Sequence, residues 1–402
     1  MRETDVLIVG GGPAGMMAGL LFARAGVTTM VLEKHGDFLR DFRGDTVHPS
    51  TLRLFDELGL LSALLERPHD KIAQLGARVA GQALRLADFR RLTVPAPYIA
   101  LMPQWTFLDF VAGAARRYPA FTLRQGCEAL ALIEDGGRVA GVLTATGEEV
   151  RARLMIACDG RDSSFRADLP ATDIGAPMDV FWFRLPKTPG RDNDTLGIVD
   201  SGRLFVLIDR GAYWQCAFVF AKGRAAQIKA EGLAAFRDRV RAVGPETAGV
   251  DQAITDWAQI KLLTVTVDRL RRWHRPGLLV IGDAAHAMSP IGGVGINLAI
   301  QDAVAAANIL AGPMAAGAHP DRLLDRVRQR RMPAVRLTQG AQRLIQDRII
   351  APLLRSTKPL KRPPLAARLL DRFSLLRRIP ARLIGMGVRP EHIRSPDAGE
   401  RM

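Results

Sequence analysis

The N-terminal stretch constrains the fold more than any other part of the sequence. Residues 6–9 form a short apolar run, typical of a strand that is buried on both faces of a parallel sheet. The run leads into Gly10, Gly12 and Gly15, which are spaced as G-x-G-x-x-G. The first glycine permits a tight turn, the second lets the backbone approach a pyrophosphate, and the third lets a helix pack closely on its strand. The pattern predicts a dinucleotide-binding βαβ unit.

The second strand of this unit ends on a carboxylate. A helix predicted at 14–25 directs its free N–H groups and the positive end of its dipole at the phosphate. Glu33 follows at roughly the 20-residue offset at which an acidic side chain accepts from a ribose 2′-hydroxyl. Because a carboxylate repels a 2′-phosphate, we expect FAD or NAD here, and the motif does not choose between them. Residues 6–23 are long enough to mimic a membrane span, but their glycines and Pro13 fit a phosphate loop better.

The composition is ordinary except for its charge. The 402 residues are 48% hydrophobic and 24% charged, and this length predicts two or three domains. The formal net charge is +15, and much of the arginine excess follows Arg322. A basic balance suits nucleic acid, an anionic membrane or an acidic substrate. No zinc-ligand spacing, aromatic-basic RNA motif or basic low-complexity tail accompanies it, so we expect neither a nucleic acid partner nor a metal site.

The cysteines and the N-terminus bear on location. Cys127, Cys158 and Cys216 are widely spaced and odd in number, which is typical of reduced thiols in a cytosolic protein. The first strand begins at once and leaves no room for a signal peptide. We therefore predict a cytoplasmic location.

Two later buried strands also end on short polar motifs. One is followed directly by Asp159 and Gly160, the other by Gly282 and Asp283. After the second motif, Pro290 opens a glycine-rich turn ahead of a long helix. Three strand ends therefore carry glycine motifs in the same chain.

The region between these motifs has a different amino-acid composition. From about residue 171 it is rich in β-branched and aromatic residues, which predicts an antiparallel sheet with one covered face. Trp214, Cys216, Phe218 and Phe220 share one face at period two. This stripe is either core or the roof of a cofactor pocket.

With these three motifs in this order, the chain resembles the flavoprotein aromatic hydroxylases, the single-component FAD-dependent monooxygenases typified by para-hydroxybenzoate hydroxylase. The resemblance covers about residues 1–310 and is loose beyond them. It implies an α/β fold with a Rossmann-like FAD-binding domain, an inserted antiparallel β-sheet substrate domain and a helical C-terminal segment. The boundaries that we predict are 1–72, 104–172 and 268–345 for the FAD-binding domain, 73–103 and 173–267 for the substrate domain, and 346–402 for the basic C-terminal segment.

The resemblance also implies roles for individual residues. Asp283 would take a ribityl hydroxyl, while Asp159 would serve both FAD and NAD(P)H. Arg161, together with Arg166, is a candidate for the phosphates of the nicotinamide cofactor. In the alternative the aspartates are ordinary turn caps and the arginines are surface charges. The positions expected to bind cofactor are Gly10, Gly12, Gly15, Glu33, Lys34, Arg43, Gln104, Asp159, Gly160, Arg161, Asp283, Gly293, Gly295 and Asn297.

Three residues are expected at the reaction centre. Pro290 and Gly293 belong to a turn at a helix N-terminus, which offers unpaired N–H groups and about half a positive charge. Such a turn stabilises negative charge on a reduced flavin. His48 follows a charged loop and is a candidate to face the substrate.

The expected reaction consumes O2 together with NADPH or NADH, and whichever nicotinamide cofactor is used is a transient co-substrate. It hydroxylates an aromatic or related organic small molecule through a flavin hydroperoxide. The sequence has only 3 tyrosines and shows no proton relay, so a simple phenol is not indicated. Aromatic polyketides, quinolones and quinone precursors stay open. Alternatives are an FAD-dependent reductase or halogenase on the same fold, although the halogenase W-x-W-x-I-P signature is missing, and a non-catalytic flavin-binding redox sensor.

The basic C-terminal segment carries an apolar stripe at helical spacing. The stripe consists of Leu365, Leu369, Leu370, Phe373 and Leu376, and the arginines around it are Arg368, Arg372, Arg377 and Arg378. Prolines keep these helices short, and short helices gain more from docking to protein than from a headgroup layer. We therefore expect the stripe to pack on the body and the arginines to be solvated. Weak peripheral contact with an anionic membrane is the alternative.

Overall fold

The computed structural model describes residues 2–39, 46–187, 196–200, 202–356, 360 and 362–399. The strands are β1 (Arg2–Val9), β2 (Thr29–Glu33), β3 (Thr46–Val47), β4 (Asp70–Ile72), β5 (Gln74–Val79), β6 (Gln82–Asp88), β7 (Ile99–Leu101), β8 (Phe121–Gln125), β9 (Ala129–Asp135), β10 (Arg138–Thr144), β11 (Glu149–Ala157), β12 (Ala171–Asp173), β13 (Met178–Pro186), β14 (Leu196–Asp200), β15 (Arg203–Asp209), β16 (Tyr213–Ala221), β17 (Lys261–Leu263), β18 (Asp268–Leu270), β19 (His274–Arg275) and β20 (Leu278–Val280). The α-helices are α1 (Pro13–Arg24), α2 (Pro49–Glu57), α3 (Leu61–Leu65), α4 (Gln104–Ala115), α5 (Ala225–Ala230), α6 (Leu233–Arg241), α7 (Val250–Ala253), α8 (Gly295–Ala315), α9 (Leu324–Ile345), α10 (Ala351–Arg355), α11 (Leu365–Arg372) and α12 (Arg378–Gly385). A π-helical turn, Gln346–Ile350, joins α9 to α10.

The first strand lies at the centre of an eight-stranded sheet. β1 pairs in parallel with β2 on one side and with β11 on the other. β8 extends the sheet beyond β2, and β20 extends it beyond β11. Residues 6–9 are all buried, as a parallel strand at the centre of a covered sheet must be. The βαβ unit predicted from the glycine pattern is therefore present.

A second sheet of seven strands carries the aromatic residues. Its order is β17-β13-β16-β15-β14-β5-β6, and all neighbours are antiparallel except β14 and β5. One face packs on α6, where the Phe236 ring lies 5.8 Å from Phe181 and 5.5 Å from Phe218. The predicted stripe of Trp214, Cys216, Phe218 and Phe220 belongs to this cluster. The stripe is therefore core, and the opposite face of the sheet is the one turned towards the glycine-rich turn after β20.

The opposite face of this sheet connects the two sheets of the fold. It carries Val180, Val206 and Val219, which pack in one cluster with Ile291 from the glycine-rich turn and Ile350 from the π-helical turn. The α/β class with an inserted, mainly antiparallel sheet is the predicted one. Where one domain ends and the next begins stays a prediction.

The C-terminal helices pack on the body through the side opposite to the predicted apolar stripe. Ala381 and Met386 share a core with Phe89, and Gly385 lets α12 approach Phe89 closely, since a Cβ there would lie 3.1 Å from that ring. The predicted stripe faces outwards instead, and four of its members are exposed, namely Leu365, Leu369, Phe373 and Leu376. The prediction that this stripe packs on the body is wrong, because small residues on the other side allow closer packing.

One of the surrounding arginines was also misassigned. Arg377 is buried and donates from its guanidinium to the backbone carbonyls of Leu370 and Asp371. It therefore holds the turn between α11 and α12 and is not a solvated charge.

A single helical stretch among the described residues, Ile291–Ala315, has the length and apolar composition of a membrane-spanning helix. Of its most apolar window, 72% is buried inside the fold. Such burial is expected of a core helix, and the helix packs on α1 and α9. The cytoplasmic location stays a prediction.

Candidate active site

The glycine turn after β1 forms a cradle with open space in front of it. A Cβ at Gly15 would lie 1.9 Å from the carbonyl oxygen of Gly10, and one at Gly10 would lie 2.6 Å from that of Cys158. A Cβ at Gly12 would meet no described atom within 4 Å. The first N–H groups of α1 have no acceptor within the helix, so they are available to an anion. These residues fit the diphosphate of FAD.

Glu33 lies at the edge of this cradle. Its carboxylate is buried and accepts from the backbone N–H groups of Gly11 at 2.9 Å and His35 at 3.0 Å. Lys34, the next residue, is exposed. The carboxylate is therefore next to the turn, as a ribose contact requires, and that contact stays a prediction.

The cofactor contacts predicted for Gln104 and Arg43 stay predictions. Gln104 is the first residue of α4 and is half-buried. Arg43 lies outside the described residues.

The two aspartate motifs meet at the edge of the eight-stranded sheet. β11 and β20 are parallel neighbours, so the residues that follow them lie together. The guanidinium of Arg161 is 3.6 Å from the carboxylate of Asp283. Arg166 is less accessible to a ligand, because it pairs with Asp268 and donates to the carbonyl of Ala284 at 2.9 Å. The structure thus brings Arg161 to the predicted ribityl site and engages Arg166 elsewhere.

Asp159, which follows β11, has a buried carboxylate oxygen. Burial raises the pKa of this carboxyl above its ordinary value. Its Oδ1 has no hydrogen-bond partner among the described residues. An unsatisfied buried acceptor costs about 1–3 kcal/mol, so a ligand hydroxyl at this atom would remove a real penalty. Gly160, beside it, has φ +98° and open space on its Cβ side.

The turn at residues 290–293 is fixed against strand β3. The Thr46 hydroxyl donates to the carbonyl of Gly293 at 3.0 Å, and a Cβ at Gly293 would lie 2.7 Å from the same hydroxyl. α8 begins at Gly295, and its first N–H groups have no acceptor within the helix. Pro290 and Gly293 therefore sit where a helix N-terminus is presented, which is the predicted arrangement.

The side chain of Asn297 is fully hydrogen-bonded within the protein, and the cofactor contact expected of this residue stays a prediction. Its Oδ1 accepts from the His48 backbone N–H at 2.9 Å and from the Thr51 hydroxyl at 2.8 Å. Its Nδ2 donates to the carbonyls of Thr46 at 3.2 Å and Gly293 at 3.4 Å. A carboxamide offers two donor hydrogens and two acceptor lone pairs, so these four bonds use its capacity. The side chain holds β3, α2 and the turn together, which leaves the backbone N–H for any cofactor contact.

His48 is fully buried at the N-terminus of α2. Its Nδ1 is 2.8 Å from the carbonyl oxygen of Ile384 in α12, whereas Nε2 has no partner among the described residues. Burial lowers the pKa of the ring from its ordinary value of 6.5 to about 4, although the Ile384 carbonyl opposes this shift. The ring is neutral near pH 7. With its proton on Nδ1, Nε2 is an acceptor.

The sequence did not reveal a buried charge network that supports the Gly282 loop. Asp302 in α8 accepts the Gly282 N–H at 3.1 Å and pairs with His286 at 2.5 Å and Arg331 at 2.9 Å. Arg331 also reaches Glu391 in the C-terminal segment at 3.3 Å. Burial alone would raise the pKa of Asp302, but contact with His286 and Arg331 holds it below its ordinary value. Ion pairs across such sequence separations leave no local pattern to read.

Comparison with known proteins shows which family the chain resembles. A family model described as "FAD binding domain" matches residues 3–341. The 6-methylpretetramide 4-monooxygenase of Streptomyces rimosus is 36% identical over 396 residues, which cover 94% of this chain and 92% of that protein. The rifampicin monooxygenase of Streptomyces venezuelae is 29% identical over 82% of this chain and 68% of its own length. The structure of p-nitrophenol 4-monooxygenase PnpA from Pseudomonas putida superposes with a TM-score of 0.77 at 20% identity, covering 97% of this chain and 100% of that chain.

The chain belongs to the family of FAD-dependent aromatic hydroxylases and monooxygenases. It is an oxidoreductase that uses FAD, NAD(P)H and O2 to hydroxylate an aromatic or related organic substrate, which confirms the prediction. The flavin-dependent brominase Bmp2 shares the fold with a TM-score of 0.74, covering 96% of this chain and 94% of that chain, but at 16% identity this likeness concerns the fold alone.

Proposed function

We propose that the enzyme hydroxylates a fused-ring aromatic compound of the polyketide type, in a cleft between the 290–293 turn and the open face of the seven-stranded sheet. One relative is named for 6-methylpretetramide and another, 28% identical, for 12-dehydrotetracycline and anhydrotetracycline. The observation that carries the proposal is the apolar, incompletely buried surface of that sheet face.

The open sheet face has the chemistry of an aromatic pocket. Trp182, Leu204 and Val206 are only half-buried although they are apolar. They belong to the same cluster as Ile291 of the turn and Leu354 of α10. Half-buried apolar side chains beside a cofactor turn can bury a large planar ligand and exclude water from it. A polyaromatic substrate suits this surface better than a small phenol does.

Polar groups lie beyond the end of this apolar surface. The buried Gln215 is opposite Ile208 in the β15–β16 pair. Its Oε1 accepts from the Arg210 guanidinium at 2.9 Å and 2.8 Å. We propose that this pair recognises a carbonyl or hydroxyl group at the far end of a long substrate.

The protein's own contribution to the chemistry is to bind and orient the cofactor. FAD, when bound, carries reducing equivalents from NAD(P)H to O2 and supplies the oxygen-transfer chemistry. In our proposal the glycine cradle and α1 hold the diphosphate, Asp283 and Oδ1 of Asp159 accept from cofactor hydroxyls, and the N-terminus of α8 faces the negatively charged edge of the flavin. Arg161 orients Asp283 from 3.6 Å.

His48 is proposed to act as a neutral acceptor and not as an acid. Its pKa of about 4 keeps the ring uncharged near pH 7. The Ile384 carbonyl fixes the proton on Nδ1, so Nε2 accepts a hydrogen bond from a substrate or cofactor hydroxyl. The residue thereby links α12, through its ring, to Asn297, through its backbone N–H.

A substrate panel tests the proposed function. FAD-loaded enzyme is mixed with NADPH or NADH and with anhydrotetracycline, 6-methylpretetramide, p-nitrophenol or p-hydroxybenzoate. We expect the fused-ring compounds to accelerate nicotinamide oxidation and to gain one oxygen atom by mass spectrometry. Coupled hydroxylation of a single-ring phenol but of neither fused-ring compound would contradict the proposed substrate class.

A cleft-filling variant tests the location. Val206→Trp fills the open face, and we expect it to raise KM for the fused-ring substrate at least about tenfold while FAD affinity is kept. Ile198→Trp is unsuitable as a control because that side chain is core. Leu130→Trp, on the exposed strand β9, is the matched control. Equal KM values for the wild type, Val206→Trp and Leu130→Trp would place the substrate elsewhere.

A further inference from the structure

Helices α11 and α12, and the turn that joins them, expose large apolar side chains on the side that faces away from the body. Leu365, Leu375 and Ile379 are 67%, 76% and 66% exposed. Scattered single apolar residues are normal on protein surfaces, but a contiguous group marks an interaction site. The apolar part of what we call the α11–α12 surface consists of Leu365, Leu369, Phe373, Leu375, Ile379 and Leu383.

Arginines lie among these apolar side chains. Arg368 and Arg372 are one turn apart on α11, and Arg378 and Arg382 are one turn apart on α12. All four are exposed, and none has an ion-pair partner within the part of the chain that the structure describes. The surface is therefore apolar and basic at the same time.

The two helices are already folded and anchored by their inner side. Arg377 bonds to the carbonyls of Leu370 and Asp371, and its own carbonyl accepts the Asp88 N–H at 3.3 Å. Ala381 and Met386 belong to a core cluster of the body. Isolated helices of eight residues are unstable in water. Since these helices are held in place, a partner that binds their outer side does not have to supply the free energy of ordering them.

We propose that the α11–α12 surface binds an anionic lipid bilayer, with the leucines and Phe373 at the headgroup–acyl boundary and the arginines on lipid phosphates. A second copy of this chain would bring the unpaired arginines against each other, which disfavours self-association. Nucleic acid would pair with the arginines but leave the apolar side chains without a partner. An anionic bilayer is the occupant that satisfies both groups.

The position of α12 gives this contact a use. Ile384 lies on the inner side of α12, where its carbonyl bonds to His48 and its side chain reaches the turn at Gly292. The lipid-facing Leu383 is the adjacent residue. The proposed bilayer surface and the candidate active site are thus on opposite sides of one helix, which suits delivery of an apolar substrate from the membrane.

Vesicle co-sedimentation of the full-length protein tests the proposal without any assay of activity. The vesicles are phosphatidylcholine alone and phosphatidylcholine with phosphatidylglycerol. We expect binding to the anionic vesicles only, weakened by added salt. Leu365→Ser/Leu375→Ser/Ile379→Ser should lower the apparent affinity at least about tenfold, and Arg368→Glu/Arg372→Glu about fivefold per arginine. All five side chains are exposed, so both variants should fold.

Two matched variants serve as controls. Leu337→Ser/Leu344→Ser/Ile349→Ser removes apolar groups that are also more than half exposed, from α9 and the π-helical turn. Arg116→Glu/Arg117→Glu reverses exposed charges at the end of α4. Both should bind anionic vesicles as the wild type does. Equal binding by wild type and the Leu365/Leu375/Ile379 variant would overturn the proposal. So would a concentration-dependent dimer, seen by light scattering without vesicles, that this variant disperses.

Discussion

The carboxylate of Asp302 accepts the backbone N–H of Gly282 at 3.1 Å, and this bond ties the loop that carries Asp283 to the interior of α8. The acceptor is charged and completely buried, and it is balanced by Arg331, which is also buried. A buried pair of this kind adds little net stability over an apolar pair, but removing one partner leaves the other charge uncompensated. The position of the Gly282 loop therefore depends on Arg331 as well.

Arg331→Met should be strongly destabilising. The variant removes the guanidinium that balances the buried Asp302 carboxylate and leaves His286 as its remaining side-chain partner. We expect this loss to lower the free energy of unfolding by about 3–5 kcal/mol, measured by urea denaturation at pH 7. Arg330→Met is the control, because Arg330 is one-third exposed and pairs with Glu391, which keeps its contact to Arg331. It should cost about 1 kcal/mol or less. Equal losses in the two variants would contradict the role given to the Asp302 pair.

Gly12→Ala should weaken FAD binding without unfolding the protein. The added methyl group meets no described protein atom within 4 Å, but it enters the space in which the diphosphate is proposed to lie. We expect an unchanged melting temperature for the apoprotein and an FAD Kd at least about tenfold higher, by flavin fluorescence titration. Gly36→Ala, also in open space, is the control. If both variants bind FAD like the wild type, the cradle is not the diphosphate site.

Asp283→Ala should weaken FAD binding more than Asp159→Ala does. Loss of a charge-assisted hydrogen bond to a ribityl hydroxyl should cost about 1.5–3 kcal/mol of binding free energy. It also leaves Arg161 without its carboxylate. Asp159→Ala should act partly on the rate of flavin reduction by NAD(P)H, followed by stopped-flow absorbance. An Asp283→Ala protein with wild-type FAD affinity would show that Asp283 does not hold the ribityl chain.

His48 should make the stability of the protein depend on pH in acid. In the unfolded chain the imidazole takes up a proton near pH 6.5, whereas burial keeps the folded ring neutral down to about pH 4. Its contribution to stability is therefore complete above pH 6.5 and is lost as the pH falls to 4, by about 3 kcal/mol. Urea unfolding of wild type and His48→Asn between pH 4 and 7 should show a shallower pH dependence in the variant. Exposed His35→Asn should retain the wild-type slope, and parallel curves for wild type and His48→Asn would exclude this explanation.

A chain that ends at Pro352 should be less stable and expose apolar surface. Truncation removes Met386 from the cluster around Phe89 and removes Glu391 from Arg331. We expect a lower melting temperature and increased binding of a hydrophobic dye. An unchanged melting temperature combined with lost binding to anionic vesicles would mean that the segment serves the membrane alone.

The parts of the site that sequence could predict are those with a local pattern. The glycine spacing predicted the cradle, because each glycine is required by the conformation or packing of the turn itself. Buried strands with polar ends located Asp159 and Asp283. The two motifs lie close together because β11 and β20 are adjacent strands, and local periodicity does not show which strands are adjacent.

The helical spacing in the C-terminal segment was read correctly but its direction was not. Period alone shows that Leu365, Leu369 and Phe373 share a face, and it does not show which face packs. Small residues such as Ala381 and Gly385 let the opposite side of α12 approach the body closely. The structural role of the Asn297 side chain was also beyond local pattern, since three of its four partners belong to residues 46–51.

The order of strands in the central sheet has a consequence for how the enzyme is made. β1 is synthesised first, yet it pairs with β11, where Val9 lies opposite Ala157, and β11 pairs in turn with β20. Contacts between segments so far apart in sequence form slowly, because long loops must close first. The ribosome therefore releases the glycine cradle long before Asp283 exists to complete the pocket. We expect FAD to be captured late in folding, so that FAD in a refolding buffer raises the final yield of native protein and leaves the rate of the earliest folding phase unchanged.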